Sequence, residues 1–304
     1  MKKILLSFLI ASFPFICLSK ENVELIVASS PGGSVHRYAL HIQPALENAL
    51  SKNVILTFKP GGNGLIAARE LQNSPKDKLT FLIGNLNLPE AWKDNFKNQK
   101  VLDVQRDITP VAFLGTIPSI IYSKSNKNYS DFREALNYGK KENLTIAIAM
   151  NSPNSKLVGE IVSKNKVEEN LTIVPFKTGT QGLLGVLGGH VTMGITVIDV
   201  LTQEIEKNTI VPLALVYESR LKAFSALPTL KELGLSIDNE DRYYNNFFLW
   251  TNVDKNTEEI IRVKNVLNNF LTEKQSEKFI SSLFVQFGKN DIRNPEKYLE
   301  KLIK

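Results

Sequence analysis

Three stretches of the chain share one hydropathy pattern. Each is a short apolar run, then a turn of small and polar residues, then apolar positions at helical spacing. The first begins with Leu25, Ile26, Val27 and Ala28, which read as a buried strand. Ser29, Ser30, Pro31, Gly32, Gly33 and Ser34 form the turn, and Val35, Tyr38, Ala39, Ile42, Ala45, Leu46 and Ala49 then fall on one helical face. The second runs from a strand over 144–149, through Asn151, Ser152, Pro153, Asn154 and Ser155, to a helix with Leu157, Val158, Ile161 and Val162 inward. The third has a strand over 171–176, a turn through Lys177, Thr178, Gly179 and Thr180, and a helix over 183–187 that stops at Gly188 and Gly189.

The same reading places strands at 54–58, 79–84, 191–197, 210–217 and 247–252, with two more near 107–114 and 119–122. Helices are expected at 65–72, 129–141, 258–271 and 276–287. A further helix opens near Arg220 and Leu227 and ends at Gly234, and another carries Asn294 as cap and Pro295 in its first turn. Strands alternating with helices predict an α/β protein with mainly parallel sheets covered on both faces.

A strand, a glycine turn and a helix together point free backbone N–H groups at one spot. The helix dipole makes that spot attractive to an anion, and glycine lets a ligand approach the backbone. Ser34 is an N-cap or hydroxyl donor in the first unit, and Asn85 and Asn87 follow the strand at 79–84, where open α/β sheets bind ligands. Neither GxxxxGK[ST] nor GxGxxG occurs, so phosphate-loop and dinucleotide sites are not indicated.

At 304 residues the chain has room for two domains. The formal charge is +6, and the lysines are scattered, which argues against a nucleic-acid stripe. Lys2 and Lys3 precede an apolar run from 4 to 16, and Cys17, Leu18 and Ser19 suit a cleavage site after Ser19. Residues 1–19 are therefore expected to be a cleaved signal peptide; the apolar run is short for a membrane span. The remaining chain would carry +4 and no cysteine, since Cys17 is the only one. That fits a periplasmic protein without disulfide, thiolate nucleophile or cysteine metal ligand. No GxSxG elbow or HExxH occurs, and His36, His41 and His190 have no ligand spacing, so no metal and no cofactor are expected.

The chain resembles the substrate-binding proteins of tripartite tricarboxylate transporters, the Bug or TctC-like family. The likeness is carried in order by 27–33 with its Pro31-Gly32-Gly33 turn, by Pro60-Gly61-Gly62-Asn63-Gly64, and by Asp107-Ile108-Thr109-Pro110-Val111. It continues through 151–160, Val174-Pro175-Phe176-Lys177, Gly188-Gly189-His190-Val191, and Leu227-Pro228-Thr229 with Glu232 and Gly234.

That resemblance implies a type II-like, two-lobed periplasmic binding protein, each lobe a mixed, mainly parallel sheet flanked by helices. Lobe I would comprise 20–120 and 218–304, lobe II 121–217, with the ligand cleft between them. In the family, backbone amides and hydroxyls of two facing loops hold a carboxylate. Those loops correspond here to Ser30, Pro31, Gly32, Gly33 and Ser34, and to Lys177, Thr178, Gly179 and Thr180. Asn85, Asn87, Asn151, Ser152 and Ser155 would complete the lining, and His36 and Thr196 are placed with the ligand-binding residues. Four positions depart from the family pattern: Val35 and His36 replace threonine and aspartate, Lys156 replaces a histidine, and Thr196 replaces an aspartate. Two lost carboxylates and a gained lysine favour an anion without an ammonium group, so a di- or tricarboxylate is expected over an amino acid. The implied partners are that ligand and integral membrane transporter subunits, with the receptor itself a monomer. A sensor subunit for a membrane signalling protein uses the same clamp; a periplasmic hydrolase is the enzyme alternative.

Overall fold

The computed structural model describes residues 21–85, 108–125, 127–140, 142–150, 152–167, 171–235, 243–252 and 257–287. The expected signal segment, Asn87, Asn151 and the Asn294–Pro295 helix start lie outside the described residues.

Two five-stranded mixed sheets form the molecule. The first contains β1 (Asn22–Val27), β2 (Asn53–Phe58), β3 (Thr80–Gly84), β4 (Thr109–Ile117) and β10 (Asn245–Thr251), in the order β2-β1-β3-β10-β4. The second contains β5 (Ser119–Lys124), β6 (Leu144–Ala149), β7 (Leu171–Phe176), β8 (Met193–Val197) and β9 (Ile210–Val216), in the order β7-β6-β8-β5-β9. β1 runs parallel to β2 and β3, and β6 runs parallel to β7 and β8. β10 and β5 are antiparallel to both their neighbours. The chain passes from the first sheet to the second through Pro118, between β4 and β5, and returns between β9 and β10.

The described helices are α1 (Ser34–Leu50), α2 (Leu65–Asn73), α3 (Phe132–Tyr138), α4 (Pro153–Asn165), α5 (Gly179–Leu187), α6 (Ile198–Glu206), α7 (Glu258–Thr272) and α8 (Lys274–Ser282). Strand alternation explains why the first sheet is covered twice. Leu25, Val27, Phe81, Phe247 and Leu249 pack on the α1 side, while Ile26, Leu82, Phe248 and Trp250 pack on the α2 side. α1 buries Tyr38, Ala39, Ile42, Ala45, Leu46 and Ala49, the face its period predicts. Tyr38 also anchors the helix, because its hydroxyl donates to the Leu114 carbonyl at 2.5 Å.

Four expectations are corrected. No α-helix forms over 220–234: a 3-10 turn (Lys222–Phe224) is followed by tight turns. There the backbone serves the second sheet instead. Leu215 N donates to the Pro228 carbonyl at 2.8 Å, and Leu230 N donates to the Leu215 carbonyl at 3.2 Å, so Leu227, Leu230 and Leu235 are buried without a helix. α3 is shorter than 129–141 because Asp131 caps it, accepting from Glu134 N at 2.8 Å, and Gly139 ends it. α8 stops at Ser282; Phe284 takes a φ of 55°, and Gln286 pairs with Thr116 through both backbone groups at 2.7 Å. α6 is a helix where none was expected, because Ile198 and Leu201 are its only buried residues and so short a stripe gives little period.

Candidate functional site

One cleft of about 660 Å3 gathers the carboxyl ends of β1, β3, β6 and β7. Four of its lining residues are helix N-caps: Gly33 for α1, Gly64 for α2, Ser152 for α4 and Thr178 for α5. Two of these helices follow strands of the first sheet and two follow strands of the second. Each N-terminus leaves backbone N–H groups without an intrahelical partner, and each carries partial positive charge. The cleft is thus an electropositive pocket built mostly from backbone.

On the first side, Ser30, Pro31, Gly32 and Gly33 all line the cleft. Gly32 has a φ of 92°, a conformation that L side chains rarely adopt, which is why glycine stands there. Its N–H is already engaged: it donates to His36 Nδ1 at 2.8 Å. The imidazole lies edge-on to Phe58 with ring centroids 4.9 Å apart. His36 therefore braces the turn from behind and is not among the cleft-lining residues. Ser34 is likewise engaged within the protein, its Oγ donating to Asp199 Oδ2 at 2.5 Å.

On the second side, Lys177, Thr178 and Thr180 line the cleft, as do Ala149, Met150 and Ser152. Thr178 Oγ1 accepts from Gln181 N at 3.2 Å and so caps α5. Gly179 stands behind the loop, where a Cβ would collide with the Thr196 side chain. Thr196 is buried and does not line the cleft. The Ser152 hydroxyl donates to the Ala149 carbonyl at 2.7 Å, which leaves the first amides of α4 uncapped by it. Ser155 lies one turn into α4 and is not in the lining.

Asn85 lines the cleft at the end of β3. Its Nδ2 donates to Asn245 Oδ1 at 3.1 Å, and Asn245 Nδ2 donates to Ser119 Oγ at 2.9 Å. Asn154 Nδ2 reaches the same Ser119 oxygen at 3.1 Å. A chain of amides thus runs from the cleft to the first residue of β5, beside Pro118.

Sequence reasoning missed several parts. The turn at Pro60, Gly61, Gly62 and Gly64 lines the cleft, as do Val35 and Met150. The repeat of a strand, a glycine turn and a helix at 54–72 was the signal for that turn. Arg37 and Asp199 were also missed. Arg37 Nη2 donates to Asp199 Oδ2 at 2.5 Å, the same oxygen that takes the Ser34 hydroxyl. The Asp199 side chain is 1% exposed, and its Oδ1 has no partner among the described residues. Burial raises its carboxyl above the ordinary value of 3.8, against the opposing pull of the Ser34 hydroxyl and the Arg37 charge. A carboxyl group therefore stands close to the first loop, three residues beyond Thr196. Among the described residues, no three His, Cys, Asp or Glu side chains are grouped as metal ligands.

Comparison with known proteins agrees with this architecture. The profile of the TctC family, tripartite tricarboxylate transporter family receptor, matches residues 39–247. BugT of Bordetella pertussis is 23% identical over 70% of this chain and 65% of its own length. A UPF0065 protein of Bordetella bronchiseptica is 25% identical over 69% of this chain and 62% of its own. The match thus spans somewhat less than two thirds of these relatives. Among solved structures, a Rhodopseudomonas palustris protein with adipate superposes with a TM-score of 0.77 at 21% identity, covering 93% of this chain and 94% of that one. MatC from the same organism, with bound malate, gives 0.74 at 18% identity over 95% and 96% of the two chains. The periplasmic binding protein BugD gives 0.73 at 16% identity over 93% of each. The chain belongs to the tripartite tricarboxylate transporter receptor family and has a two-sheet periplasmic binding protein fold.

Proposed function

We propose that the protein is a periplasmic receptor that captures a small organic anion, a di- or tricarboxylate, and delivers it to a tripartite tricarboxylate-type membrane transporter. The convergence of four helix N-caps on one cleft carries this reading. Carboxylate oxygens would accept from the uncapped amides of α1 and α4 and from the loops at Gly61–Gly62 and Thr178–Thr180, while Lys177 supplies a full positive charge. The adipate and malate held by two proteins of the same fold support the ligand class. The two sheets with their helices act as lobes, joined at Pro118 and by the return from β9 to β10, and they close on the ligand as a hinge. Capture needs no covalent chemistry. The protein works as a monomer and not as an enzyme.

A thermal-shift screen of residues 20–304 against carboxylates, amino acids and sulfonates tests the reading. A ligand present at about a hundred times its dissociation constant adds roughly 2.7 kcal/mol of stability. A melting shift with dicarboxylates or tricarboxylates is the expected result. A shift produced best by zwitterionic amino acids overturns the ligand class, and no shift with any compound, after refolding to remove bound ligand, overturns the receptor reading.

A further inference from the structure

Ser34 and Arg37 stand three residues apart on α1, hence on one face of that helix. Asp199 lies in the first turn of α6, in the other sheet's layer. Both donors meet Asp199 Oδ2, each at 2.5 Å, across separations of 165 and 162 residues. We propose that Ser34, Arg37 and Asp199 form a clasp made only when the lobes are together, so that lobe closure and ligand retention depend on a carboxylate outside the ligand-lining set.

Three observations support the clasp. The first is the asymmetry of exposure: Arg37 is 44% exposed at its side chain, Asp199 only 1%. Separating the lobes would return to water a carboxylate that the contact removes from it. The second is its bonding. One oxygen takes both donors while the other has no partner among the described residues. Such a contact is favourable in one relative placement of its partners and costly in others, which suits it to fixing a closed geometry. The third is its position. Ile198 N donates to the Pro118 carbonyl at 3.0 Å, so the start of α6 is tied to the residue through which the chain changes sheets. On the other side, Ser34 directly follows Gly33, the cleft-lining cap of α1. Asp199 is thus a positioning residue: it holds the anion-facing end of α1 against the second lobe.

The test uses the full chain with Cys17→Ser, spin-labelled at Asp77→Cys and Ser163→Cys, one exposed position on each side. Electron–electron distances are recorded without ligand for this protein and for its Asp199→Ala, Arg37→Ala and doubly substituted forms. Asp199→Asn, equal in shape, replaces Asp199→Ala if the latter does not fold. Both single substitutions are expected to move the distribution to longer distances, and the double to move it no further. An unchanged distribution in both single variants overturns the clasp.

The ligand arm rests on the receptor reading and uses adipate and malate as probes. Each single substitution is expected to raise the dissociation rate by about tenfold, because it removes one partner of a charge pair whose carboxyl group is buried. Unchanged dissociation rates also overturn the clasp. If neither probe binds the unsubstituted protein, the ligand class fails, and the ligand-free distances still decide the clasp.

Discussion

Asn245 donates its side-chain amide to Ser119 Oγ at 2.9 Å, and the two residues belong to different sheets. Ser119 follows the crossing residue Pro118, and Asn245 opens the strand on which the chain returns. Asn85 extends this contact to the cleft and Asn154 to the first turn of α4. The crossover is therefore held by buried hydrogen bonds as well as by packing.

Removing the shared acceptor leaves two buried donors unmatched. Ser119→Ala is expected to destabilise the protein by about 1–3 kcal/mol, the range for a buried polar group left unsatisfied. Urea unfolding followed by circular dichroism measures it, and a change within a few tenths of a kcal/mol contradicts the role assigned to Ser119.

His36 and the Gly32 turn give a second prediction. Nδ1 accepts the Gly32 N–H, so the ring holds the turn in the conformation that lines the cleft. His36→Ala removes that acceptor and is expected to weaken carboxylate binding. Calorimetric titration of both proteins with the same carboxylate provides the comparison; equal affinities would contradict it.

The fit between Gly179 and Thr196 predicts a rescue. Gly179→Ala drives a methyl into Thr196, and overpacking of this kind costs about 1–3 kcal/mol. Thr196→Gly in the same chain removes the clash. The double variant should therefore melt above Gly179→Ala, and a double variant no more stable than the single one refutes the contact.

Asp199 gives a pH dependence with a definite sign. Burial raises its carboxyl in the folded protein, so the folded state holds this proton more tightly than the unfolded state. Its contribution to stability is fully present below the unfolded value of 3.8 and is lost as pH rises through the higher folded value. Glu134, Glu204 and Glu232, whose values are lowered by hydrogen bonds, give the opposite slope. Comparing unfolding of the unsubstituted protein with that of Asp199→Asn isolates the one group. The variant should gain relative stability as pH rises from about 4 to about 7, and a relative loss over that range would contradict the buried carboxyl.

Much of this protein was decided within short windows of sequence. The inward face of α1, the strands that end at the cleft, and the turns that open after β1 and β7 follow from periodicity and glycine placement, because burial of a helix or strand face is repeated at fixed spacing; α5 begins at Gly179, earlier than its expected start at 183. The family was legible for the same reason: its marks are turns, and turns are local. What only the tertiary structure decided depends on residues far apart. Residues 220–234 carry leucines at helical spacing, yet their backbone pairs with Leu215 and no α-helix forms. Ser34 and His36 looked like ligand contacts, but the fold turns one to Asp199 and the other to Gly32. The segments that hold the four N-caps could be read as turns, although the one cap expected there, Ser34, gives way to Gly33. That they share one cleft follows from how the chain crosses between sheets, and no window of sequence contains both ends of that crossing.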